Sequence, residues 1–177
     1  EAIYTPSATD INNGSVILTM TVTGVSATTN SDSINLTINP LPNKNLVVLG
    51  GSICVSQSGA VTLKNSVLGI TYQLRNNSDD SLVGSPVLGT GNDLLFTVSP
   101  TSTTTYNIQA TNTTTSCSIE LENNATIIVN DLPDNTSVLS DATLCNGSSE
   151  SITLSNSTLG VTYQLRKDSD NSWVGAS

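Results

Sequence analysis

Through most of the chain apolar residues fall at every second position, as expected of strands with one buried face. Ile70, Tyr72 and Leu74 share one face of such a strand, and Thr71, Gln73 and Arg75 share the other. The same alternation predicts strands at 46–49 with 53–55 (one broken strand), 60–64, 70–75, 81–84, 94–98, 104–111 and 118–129. Between them lie turn residues such as Asn76-Asn77-Ser78-Asp79-Asp80, whose short polar side chains bond their own backbone. No stretch of helical length keeps a 3.6-residue period. The pattern predicts an all-β protein of tandem immunoglobulin-like β-sandwich domains, about seven strands each. Two marks of immunoglobulin domains proper are missing: no Trp stands between Cys54 and Cys117, and Tyr106 lies 11 residues before Cys117 rather than two. Tyr106, at a strand start, is still a candidate for a tyrosine-corner bond.

The chain also repeats itself. Residues 39–86 align with 130–177 at an offset of 91 without a gap, with 22 identities in 48 positions. Leu68 to Arg75, LGITYQLR, returns as LGVTYQLR from Leu159 to Arg166, and Cys54 returns as Cys145. Each copy opens on a Leu-Pro pair, Leu41-Pro42 and Leu132-Pro133. Proline donates no amide and fixes its φ, so these pairs read as short linkers. The chain then divides into the rear of one domain (1–42), a whole domain (43–133) and the front of another (134–177). Cys54 and Cys117 are the expected disulfide of the whole domain. The partner of Cys145 would fall near position 208, beyond the sequence, so Cys145 is read as unpaired or half of a truncated bridge. Residues 1–38 match 92–129 at only 2 positions. They read as a different repeat subtype, and completion of one terminal piece by the other through strand exchange is not expected.

Composition narrows the chemistry. Ser, Thr and Asn supply 72 of 177 residues, so the strands and turns are polar-faced. Histidine is absent, which removes the Ser-His-Asp triad, the Cys-His dyad and imidazole metal ligands. With 5 basic against 14 acidic residues the net charge is -9, which disfavours nucleic acid and anionic membranes as partners. No apolar run reaches the 18 residues of a membrane span, and the first ten residues lack the basic and apolar regions of a signal peptide.

The run from Ile53 to Gly91, with its early Cys54, TYQLR strand and Ser85-to-Gly91 loop SPVLGTG, is followed by TTTYNIQATNTTTSCS from Thr103 to Ser118. Together these segments resemble a repeat of giant Bacteroidetes surface proteins, including gliding-motility adhesins of the SprB type. Residues 4–24 resemble a second repeat subtype of those proteins. That subtype carries a cysteine after this strand, and this chain has none there. The resemblance implies a secreted, cell-surface protein exported by the type IX secretion machinery. It further implies neighbouring repeats of the same chain, and surface polysaccharide, as partners. It also implies O-glycans on Asp-Ser/Thr-apolar triplets, which Asp32-Ser33-Ile34 and Asp80-Ser81-Leu82 fit, making Ser33 and Ser81 candidate sites.

Other candidates are weighed against plainer roles. Asp79-Asp80 and Asp168-Ser169-Asp170 could offer oxygen ligands to Ca²⁺, but lack the glycine and distal glutamate of an EF-hand loop and read as hairpin turns. Glu120 and Glu122 alternate on a predicted strand and read as a solvated face rather than an acid-base pair. Arg75 and Arg166 are expected on outward positions and read as a solvated face with partial stacking rather than a grip on a sugar carboxylate or a neighbouring domain. Trp173, standing where the first copy has Leu82, is a candidate sugar platform but reads first as core or interdomain packing. The expected function is a non-catalytic structural segment of a secreted bacterial surface adhesin or filament, with no cofactor. A carbohydrate-binding module and the passive stalk of a secreted hydrolase are the alternatives.

Overall fold

A computed structural model describes residues 2–24 and 29–175, and the chain divides into two compact units, Glu1–Asn130 and Asp131–Ser177. Among the described residues the protein is all-β apart from one short helix. That helix, α1 (Ala8–Asn13), was not foreseen from the periodicity. Its six residues are too few to show a period, and it is set by its ends. The Ser7 hydroxyl accepts the Asp10 amide while the Asp10 carboxylate accepts the Ser7 amide, a reciprocal cap. The chain then forms an antiparallel hairpin of β1 (Ser15–Thr23) and β2 (Thr29–Thr37), in register from Ser15↔Thr37 to Thr23↔Thr29. One face aligns Val16 with Leu36 and Leu18 with Ile34; the other carries hydroxyls such as Thr19 and Ser33, 2.9 Å apart.

The rest of the first unit is two sheets around one core. Along the chain come β3 (Val48–Leu49), β4 (Gly51–Cys54), β5 (Gly59–Leu63), β6 (Ile70–Asn76), β7 (Val87–Leu88), β8 (Leu94–Val98), β9 (Thr104–Asn112), β10 (Ser118–Glu120) and β11 (Ala125–Asn130). One sheet has the order β3-β5-β8; the other runs β4-β11-β9-β6-β7, with β10 also on β9. All pairs are antiparallel except β4 with β11. The inward residues are the alternating ones: Val61 and Leu63 of β5, Tyr72 and Leu74 of β6, Phe96 of β8, Ile108 of β9 and Ile127 of β11. Burial of these side chains, each contributing roughly 1.5–3 kcal/mol, drives the two sheets together.

Three expectations about strands are corrected. The broken first strand is two strands on different sheets, because the chain crosses at Gly50. A Cβ there would lie 2.0 Å from the Thr126 carbonyl oxygen, so only glycine lets the backbones meet. Residues 81–84 make one bridge, Arg75↔Leu82, and the edge strand is β7 instead. Residues 118–129 are interrupted after Glu120, where buried Leu121 donates its amide to Ile108.

In the second unit β12 (Val138–Leu139) pairs with β13 (Leu154–Ser155), Leu139 opposite Leu154. This is the Val48↔Leu63 register of β3 and β5, moved by 91 residues. The correspondence continues in detail. Gln57 donates its amide to Cys54, and Ser148 donates to Cys145. Val83 donates to Leu74, and Val174 to Leu165; Arg75↔Leu82 becomes Arg166↔Trp173. Asn65 and Asp80 have positive φ, and so do Asn156 and Asn171.

Candidate functional site

One bridge is expected among the three cysteines. No disulfide is formed among the described residues, which include all three; Cys54 and Cys145 are exposed and Cys117 is partly covered. The expected Cys54–Cys117 pair is thereby corrected, and the register supplies the reason. Cys54 lies opposite Asn130, beyond the level at which Ile127 meets Thr104 at the start of β9. Cys117 accepts the amide of Asn112 at the other end of β9. At 3.3 Å per residue the two thiols stand about 30 Å apart along the strand, against the roughly 6 Å between Cα atoms that a bridge requires.

Arg75 is not the free guanidinium that its outward position suggested. Its side chain is only 12% exposed, and Nη2 lies 2.6 Å from Glu120 and 3.5 Å from Asp80. Asp80 in turn accepts the Asn107 amide at 2.8 Å. Arg75 Nε and Asn107 Oδ1, a donor and an acceptor on directly opposed residues of β6 and β9, are both buried without a partner. Glu120 is therefore occupied by Arg75, and Glu122 separately by Lys44. The two carboxylates do not form a pair with each other. Arg166 has its own arrangement: its guanidinium lies 5.9 Å from the ring centre of Trp173, a residue 69% exposed.

The acidic turns bond internally. Asp79 accepts the Ser81 amide and hydroxyl, which hold its carboxyl below the ordinary carboxylate range. Asp170 accepts the Ser172 amide at the matching place in the second unit and is likewise lowered. The candidate glycosylation residues Ser33 and Ser81 are both exposed, with Ser33 on β2 and Ser81 in the turn after β6. The Ser85-to-Gly91 loop is a structural clasp. Gly89 donates to Ile70, and Thr90 donates to the hydroxyl of buried Ser66. A Cβ on Gly89 would lie 1.9 Å from the Val67 oxygen.

Of the concave regions among the described residues, two lie on the repeat. One is a polar cleft of about 420 Å³ between the turn after β6 and the residues leading into β9, lined by Asn76, Asn77 and Thr103 among others. The other was not foreseen from the sequence. It is an open groove of about 510 Å³ in the second unit, where Leu139, Ile152, Leu154, Tyr163 and Leu165 lie beside polar residues such as Asp134, Asn135, Ser137, Gln164 and Arg166. In the first unit the residues 91 positions earlier form the core. Val48 is 7% exposed where Leu139 is 51%, and Val61 is 0% where Ile152 is 44%.

The two tyrosines make that contrast chemical. Tyr72 accepts the Val67 amide at 3.0 Å and Tyr163 accepts the Thr158 amide at 2.9 Å. Around Tyr72 burial dominates and raises the phenol, whereas at Tyr163 the Thr158 bonds dominate and lower it. The expected tyrosine-corner role of Tyr106 goes instead to this pair; Tyr106 is a buried core residue raised by desolvation. No protein-family model matches the chain, and no curated protein matches it.

Proposed function

We propose that the chain is a non-catalytic repeat segment of a secreted bacterial surface adhesin or filament, of the kind that serves adhesion or gliding motility. Its units are immunoglobulin-like sandwiches in tandem, with boundaries at the Leu-Pro pairs. The observation that carries this reading is the return of hydrogen bonds, bridges and positive-φ residues at a spacing of 91, from Cys54/Cys145 to Val83/Val174. Such a repeat is the way a chain builds length. The connectivity of the first unit supports the immunoglobulin-like assignment: the chain changes sheet between β5 and β6, returns between β7 and β8, and changes again between β8 and β9. Two of the side chains that catalysis or sugar binding would claim are engaged within the fold, Arg75 on Glu120 and Asp79 on Ser81. Export through the type IX machinery, neighbouring repeats as partners and glycans at Ser33 and Ser81 belong to the same proposal.

Antibodies raised against this chain test it on cells of the source organism. Labelling of intact cells, lost after brief treatment with external protease, is the expected result. Labelling that requires permeabilised cells would overturn it.

A further inference from the structure

We infer that the open groove of the second unit, with its row of apolar residues, is a docking face for the rear half of this same repeat, a segment with the strand pattern of β8, β9 and β11. The inference rests on the repeat reading of the chain, and the first unit supplies the template. Val48, Val61, Leu63, Tyr72 and Leu74 are covered there by Leu94, Phe96, Ile108, Ala110 and Ile127, all in one core. Their counterparts Leu139, Ile152, Leu154, Tyr163 and Leu165 line the open groove.

The backbone restricts the occupant further. In the first unit β6 pairs with β9 from Ile70↔Asn112 to Asn76↔Tyr106. Residues 161–167, the counterpart of β6, are bridged along one edge alone, at Arg166↔Trp173, and among the described residues no strand pairs with their other edge as β9 does with β6. A lipid or a helix would cover the side chains and leave these backbone groups unpaired, whereas an added strand satisfies both. The rear half of the repeat fits because the acceptor keeps the TYQLR strand, the β3–β5 register and the tyrosine bond of the first unit. The β1–β2 hairpin of a second copy also has an apolar face, but its sequence in phase with β9 to β11 matches at chance level.

The test adds an unlabelled synthetic peptide of residues 92–130 to the intact, methyl-labelled chain. The expected result is a saturable shift of the Ile152, Leu154 and Leu165 methyl signals, lost when the peptide carries Ile108→Asp. Because the free peptide can aggregate, a second measurement appends a copy of residues 87–130 directly after Ser177, the in-phase position. Amide exchange over 161–167 then slows by about 100-fold or more, as for residues in a closed core. Unchanged exchange in the extended chain would overturn the inference. So would self-association of the unmodified chain that shifts the same methyl signals without peptide, since the occupant would then be a second copy. Either result leaves the cell-surface proposal standing, and a failure of surface labelling leaves this face untouched.

Discussion

Tyr72 and Tyr163 place the same hydroxyl against the same backbone amide and differ only in what covers them. A phenol in an apolar core resists ionisation, while an exposed phenol receiving amide donors ionises more readily. Of the four tyrosines, Tyr4, Tyr72 and Tyr106 are raised and Tyr163 alone is lowered. An absorbance titration should therefore show one phenol ionising below the ordinary value of about 10, and Tyr163→Phe should remove that first step. Gly89 offers a test of packing at the same scale. Gly89→Ala forces a Cβ into the Val67 carbonyl and should cost about 3 kcal/mol in urea unfolding of the first unit. A loss near zero would mean that the Ser85-to-Gly91 loop is not clasped against residue 67. The sequence marked this loop by resemblance alone; its physical reason, a backbone-to-backbone approach, appears only when both segments are placed.

At the scale of elements, alternation identified β5, β6, β8 and β9 to within a residue or two at each end. Their inward residues form the continuous core, and a period of two is an unambiguous signal there. It failed where one residue decides between two sheets, as at Gly50, and where a strand is interrupted by a buried Leu121. It failed also at α1, which is held by a cap rather than by a face. The largest error was the Cys54–Cys117 bridge. Counting cysteines within a repeat says nothing about which pole of the sandwich each occupies, and the parallel β4–β11 pairing puts Cys54 at the pole opposite Cys117. Peptide mapping without reduction, after mild oxidation of dilute protein, should find no Cys54–Cys117 cross-link within one chain. Recovery of that cross-linked peptide in quantity would contradict the register of β4 on β11.

At the scale of the whole molecule, the 91-residue period was legible from the sequence. The open groove was not, because burial is a property of what covers a residue and not of the residue. Identical TYQLR segments are core in one unit and accessible in the other. Local geometry follows the local sequence in both, since turns, tyrosine bonds and bridges need only near neighbours. Protection from solvent in the first unit comes from β8, β9 and β11, whose Leu94, Phe96, Ile108, Ala110 and Ile127 share the core with Tyr72 and Leu74. Hydrogen–deuterium exchange on the intact chain separates these two dependences directly. Amides of β6, from Ile70 to Asn76, should exchange at the slow rate of global unfolding, while those of 161–167 exchange through local opening about 100-fold faster or more. Equal protection of the two TYQLR segments would contradict the distinction between a closed repeat and an open one.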